Sequence, residues 1–126
     1  MLVLDSGGLS RLSQRNRRAA ALIAALRAEG LWPPVVPTVV LAESTAGTAR
    51  TDANINRLLK SCEVDPVVAD AKARRAGQLR ASARRGSAID ALVVALAEPG
   101  STVMTSDPDD LRPLAAYADQ VVIEAV

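Results

Sequence analysis

The stretch from Ser87 to Leu111 constrains this chain more than any other. Ser87-Ala-Ile-Asp90 opens an apolar helical run, Pro99-Gly100 breaks it, residues 101–104 read as a short strand, and Asp107 lies in the acidic turn that follows. A helix that delivers a strand is half of a β-α-β crossover, so the stretch calls for an α/β sheet. In open sheets of this kind the functional crevice lies outside the carboxyl ends of the strands, where Asp107 falls. Asp90 and Asp107 thus flank one helix-loop-strand unit.

The start of the chain supplies a partner. Residues 1–4 are apolar and are followed by Asp5, Ser6, Gly7 and Gly8, which reads as a buried strand ending on a carboxylate and a flexible turn. A parallel neighbour ending in Thr105-Ser106-Asp107 sets Asp5 and Asp107 on one rim. Glu43 is the next candidate, on a helix that Thr38 can cap, and its apolar neighbours from Val39 to Ala46 imply burial on at least one side.

The remaining order is strand and helix in alternation. A short helical turn is expected over Leu9 to Leu12, then a helix from Arg17 to Glu29 capped by Asn16, a strand at Val35-Val36, a helical segment after Thr51-Asp52, and a strand near Cys62 to Val64. Pro66 suits the first turn of a helix from Val67 to about Arg85. An acidic helix from Pro108 to Ala118 and a last strand at Val121 to Ile123 close the order. This alternation predicts a single domain, 1–126, built as a three-layer α/β/α sandwich with a mostly parallel sheet.

Composition narrows the chemistry. With no His, the chain has no imidazole general base, no His triad and no His metal ligand; one Cys excludes an internal disulfide or a cysteine metal cage. There is no Phe and only one Trp and one Tyr, which argues against a base-stacking platform. A net charge of +1 leaves no global field, so any electrostatic signal is local. No apolar run is long enough for a membrane span or a signal peptide, and the cytoplasm is the expected location. Carboxylates and hydroxyls are left to carry the chemistry.

Three of the four candidate acids also have a structural explanation, and Glu43 is the hardest to explain that way. Ser87 to Asp90 fits a capping box, Asp107-Pro108-Asp109-Asp110 fits a helix start with acids against the dipole, and Asp5 could be an ordinary turn residue. Taken together, Asp5, Glu43, Asp90 and Asp107 repel one another on one rim unless a cation neutralises them. All-oxygen donors suit Mg²⁺ or Mn²⁺. The arginines of the helix before Gly86 either face solvent or cradle phosphates beside the acids.

Val-Leu-Asp5-Ser, Val39-Val40-Leu41-Ala42-Glu43, Ala88-Ile89-Asp90-Ala-Leu-Val-Val-Ala and Val103-Met104-Thr105-Ser106-Asp107-Pro-Asp-Asp110-Leu together resemble the four acidic motifs of the PIN domain family, and the chain is similar to its VapC toxins. The resemblance implies a Mg²⁺- or Mn²⁺-dependent endoribonuclease, a homodimer, held inactive by a VapB-like antitoxin. It implies that Asp5, Asp90 and Asp107 hold metal, that Glu43 completes the catalytic cluster, and that Asp110 is an additional acid. Ser6 and Thr105 match positions of supporting hydroxyls. Arg80, Arg84 and Arg85 are the candidates for RNA phosphate contacts. Gly7-Gly8 and Ser44-Thr45 depart from the family's usual residues at those places. The alternative is a non-catalytic PIN-like or receiver-type module that binds Mg²⁺ only for partner recognition or phosphotransfer. A receiver calls for an acidic pair after the first strand, and Asp5 has no acidic neighbour.

Overall fold

The computed structural model describes residues 1–66 and 68–126. Strands β1 (Leu2–Leu4), β2 (Val35–Pro37), β3 (Glu63–Asp65), β4 (Thr102–Thr105) and β5 (Val122–Ala125) form one sheet in the order β3-β2-β1-β4-β5. Every pairing is parallel, which sharpens the expectation of a mostly parallel sheet. The helices are α1 (Ser6–Ser13), α2 (Arg17–Ala28), α3 (Thr38–Ser44), α4 (Ala53–Leu59), α5 (Asp70–Ala83), α6 (Ala88–Ala97) and α7 (Pro108–Ala115).

The strand order explains the layers. From β1 the chain steps outward to β2 and β3, then returns across the sheet to β4 and β5. Right-handed crossovers place connections of opposite direction on opposite faces, so α1 to α4 belong to one side and α5 to α7 to the other. The contacts agree: α5, α6 and α7 pack together, whereas α2, α3 and α4 group around α1. The reversal falls between β1 and β4, and that switch point is where a crevice opens at the carboxyl ends.

β1 lies at the centre, and Leu2, Val3 and Leu4 are wholly buried, as a strand covered by helices on both faces demands. Leu9 and Leu12 of α1 fill one side of the core, while Leu79, Val93, Val94, Leu111 and Leu114 fill the other. Small and branched side chains do this without aromatic rings. The α5 layer is fastened by a polar clasp: Arg75 Nη2 bonds Glu98 Oε1 at 2.8 Å and the Tyr117 carbonyl at 3.0 Å. Lys72 Nζ donates to the carbonyls of Ala95 and Glu98 near the end of α6.

Several local expectations are corrected. The residues after Asp5 form no flexible turn, because helix α1 starts at Ser6 and includes Gly7 and Gly8. A Cβ on Gly8 would collide with the Met104 carbonyl, and one on Gly7 with Ser106, so these glycines serve the close approach of α1 to β4. Thr38 is the first residue of α3, not its cap; Pro37 holds the cap position with extended backbone. Pro66 does not begin α5. β3 still pairs through Asp65, and Ala69 stays extended at ψ 149° before the helix starts at Asp70. The expected beginning at Val67 lies outside the described residues. The far end agrees better: Arg84 ends α5 in a left-handed conformation, and Gly86, at φ +99°, turns the chain against Leu114.

Candidate active site

The register of the two central strands sets the rim. Leu4 pairs with Met104, so the next residues, Asp5 and Thr105, emerge level with each other at the switch point. Asp5 is only 7% exposed, and its Oδ1 accepts the amide of Gly8 at 2.8 Å, capping α1. Thr105, wholly buried, donates its hydroxyl to Asp5 and accepts the Asp107 amide at 2.9 Å. Burial pushes the Asp5 carboxyl above its ordinary value and the Thr105 and Gly8 hydrogen bonds oppose it, while the charges of Asp90 and Asp107 raise it further.

The other acids gather around it from separate elements. Asp90, in the first turn of α6, is raised chiefly by burial, with the Ser87 hydroxyl opposing and the charges of Asp110 and Asp107 adding to the rise. Ser87 caps α6 by accepting the Asp90 amide at 3.0 Å, and its backbone N–H in turn bonds the Asp90 carboxyl, so the expected capping box forms beside the acid cluster. Glu43, near the end of α3, is raised by partial desolvation and then by Asp90 and Asp5. It is exposed, which corrects the expectation of burial: the apolar residues around it, Val40 above all, turn to the core while Glu43 faces the rim.

Asp107 stands at the cap position of α7 without a side-chain capping bond. Its carboxylate instead meets the Ser106 hydroxyl at 3.3 Å, so capping does not account for it. Asp5, which reads in the sequence as an ordinary turn residue, caps α1. Asp110, exposed in the first turn of α7, reaches the cluster through its charge on Asp90. Ser6 and Ser106 line a cleft of about 470 Å³ beside Glu43 and Asp107.

The donor set fits a hard divalent cation. Five carboxylates are linked by their charges, Asp90 to Asp107, Asp110 and Glu43, and Asp5 to Asp90, Asp107 and Glu43, and among the described residues none has a salt-bridge partner. No three of the described acids converge closely enough to enclose an ion by themselves. That spacing suits Mg²⁺, which keeps several waters and takes one or two carboxylates.

Arg80, Arg84 and Arg85 are not brought into contact with the acids. They line a separate cleft of about 350 Å³ beside Gly86, with Arg80 Nε donating to the Gly86 carbonyl at 3.1 Å. Lys72 and Arg75 of the same helix are spent on the clasp to α6. Sequence reasoning missed the hydroxyl wall of the acidic cleft. Ser6, Ser10 and Ser13 recur at helical spacing on α1, a signal hidden when residues 6–8 are read as a turn. It also missed Asp52, buried at 6% exposure, whose carboxylate accepts the amides of Ala46 and Gly47 and shapes the loop after Glu43.

Comparison with known proteins agrees with this architecture. The crystal structure of PAE2754 from Pyrobaculum aerophilum superposes with a TM-score of 0.63 at 14% identity, covering 97% of this chain and 89% of the other. That likeness is one of fold. No curated protein matches the chain. Residues 2–116 match the PIN domain, nearly the whole length over which the acids and their strands are distributed, and the chain therefore belongs to the PIN domain family.

Proposed function

We propose that this chain is a Mg²⁺- or Mn²⁺-dependent endoribonuclease, and that it acts as the toxin of a toxin-antitoxin pair whose VapB-like partner silences it. The observation that carries the reading is a set of five charge-coupled carboxylates, without salt-bridge partners among the described residues, around the β1/β4 switch point in a chain that has no His. Such a rim serves phosphodiester hydrolysis better than nucleophilic or imidazole chemistry.

In this reading Asp5, Asp90 and Asp107 would hold the cation together, one or two of them directly and the rest through its bound waters, and Thr105 fixes the geometry of Asp5. The bound ion supplies a nucleophilic water at neutral pH and offsets charge on the scissile phosphate. Glu43 orients the attacking water from the end of α3, and Asp110 adds negative charge beside Asp90. Ser6 lines the cleft in which the substrate lies. Arg80, Arg84 and Arg85 hold RNA phosphates beyond the N-terminal end of α6. The protein works as a homodimer in the cytoplasm.

The test is cleavage of a defined single-stranded RNA by purified protein. Products should appear with Mg²⁺ or Mn²⁺, vanish with EDTA and return when the ion is restored. Undiminished cleavage in chelator, in a preparation free of contaminating nuclease, contradicts the reading. A folded protein that binds Mg²⁺ and never cuts RNA returns it to a recognition module.

A further inference from the structure

The acidic cleft does not end at the acids. From Glu43 and Asp107 it runs along the serine face of α1, where Ser6, Ser10 and Ser13 meet Ser44, Thr51 and Asn54. Apart from the two acids at its mouth, this lining carries no charge among the described residues. Ser44 Oγ is buried and has no hydrogen-bond partner among the described residues, an orphaned group on the wall of the same cleft. Gln14, the C-cap of α1, lines this cleft and also the next one, a groove of about 470 Å³ bordered by Arg15, Arg17 and Arg57. Among the described residues no acid lines that second groove. Arg15 and Arg17 make no salt bridge there, and Arg57 Nη2 donates to the Ser13 carbonyl at 3.3 Å, tying α4 to the end of α1.

The sequence of surfaces is therefore acid rim, neutral hydrogen-bonding cleft, basic groove, joined through one residue. α1 has 8 residues and spans about 12 Å, a reach of a few nucleotides. We propose that this face is the substrate track: a single strand of RNA leaves the acidic rim along α1, sets the nucleotide next to the scissile phosphate into the hydroxyl cleft, and rests its following phosphates on Arg15, Arg17 and Arg57. An unstacked base in that cleft meets hydroxyls and the amides of Asn54 and Gln14, so it is read by hydrogen bonds to its edge, as suits a site without aromatic residues. This track lies on the α1 side and is distinct from the Arg80, Arg84 and Arg85 cleft. It rests on the ribonuclease reading and specifies how that site holds its substrate.

The experiment measures RNA binding in the Asp5→Asn background, which prevents turnover, and maps cleavage sites in otherwise wild-type protein. Fluorescence anisotropy of a labelled single-stranded RNA with Mg²⁺ is followed against salt. Replacing Arg15 and Arg17 by Ala should weaken binding for every sequence and lower the log-affinity against log-salt slope by roughly 1.4, about 0.7 for each phosphate no longer neutralised. Asn54→Ala should leave the slope unchanged and redistribute the cleavage sites. All three residues are exposed, so circular dichroism should show the fold retained. If wild-type protein neither binds nor cuts RNA, the ribonuclease reading itself falls. If it cuts RNA while the arginine variant keeps its slope and Asn54→Ala keeps the cleavage map, the track alone is overturned, and the basic groove is left for an acidic protein segment.

Discussion

Thr105 and Asp5 emerge side by side from adjacent parallel strands, and the Thr105 hydroxyl donates to the Asp5 carboxylate while accepting the Asp107 amide at 2.9 Å. One buried hydroxyl thereby sets the position of two candidate ligands. Thr105→Val keeps the shape and removes both bonds. It should destabilise the protein by about 1–3 kcal/mol through the stranded amide, and lower cation affinity about 10- to 100-fold. Thr105→Ser should restore most of both. Denaturant melts and Mn²⁺ titration of the two variants check this.

The pH dependence of the cation-free protein follows from the raised acids. The folded-state values of Asp5, Asp90 and Glu43 lie above their ordinary 3.8, 3.8 and 4.5, so the folded state holds these protons more tightly. Stability from these groups therefore falls as pH rises through the folded values and is recovered on acidification towards the unfolded ones. Glu98 runs the other way, held below 4.5 first by the Arg75 hydrogen bond, so its contribution is lost only as pH falls through that lower value. Without divalent ion, urea midpoints should rise as the pH is lowered through the folded-state values of these acids. Saturating Mn²⁺ should flatten or reverse the trend, because the ion binds the deprotonated acids.

Much of this arrangement is legible in the sequence because short central strands announce themselves as apolar runs and their carboxyl ends carry the acids. Asp5 and Asp107 are located by that logic, and Asp90 by the helix start that Ser87 announces. What escapes it depends on long-range neighbours. The capping role of Asp5 requires Gly7 and Gly8 to enter a helix, which they do because β4 passes too close for a side chain. The exposure of Glu43 depends on how α3 is rotated, which its apolar neighbours do not specify. The basic helix reads as one surface, yet Arg75 is drawn off by Glu98 from across the layer.

That clasp separates stability from chemistry. Arg75→Ala leaves the Glu98 carboxylate, whose side chain is 10% exposed, without its ion partner. A loss of about 1–3 kcal/mol is expected in urea denaturation, with the cleavage rate per folded molecule preserved. A fall in rate without a fall in stability would assign Arg75 to the substrate.

Arg84 and Arg85 carry the opposite expectation. Both are exposed, and both line the cleft beside Gly86. Replacing either by Ala should leave the melting temperature nearly unchanged, weaken RNA binding across sequences, and lower the salt slope by roughly 0.7. Unchanged slopes for both would mark this end of α5 as a solvent face.

The central claim is that the Asp5 carboxylate holds the cation on which RNA cleavage depends. The most direct measurement is the Mn²⁺-supported cleavage rate of Asp5→Asn, taken with the melting temperature of the same preparation. Asparagine caps a helix as well as aspartate, so α1 should persist, and relief of burial and repulsion should leave the cation-free melting temperature equal or higher. Cleavage should fall by more than about 100-fold, beyond the loss that removing an outer partner of a metal ligand causes. A folded Asp5→Asn protein that cuts RNA at the wild-type rate would contradict the account.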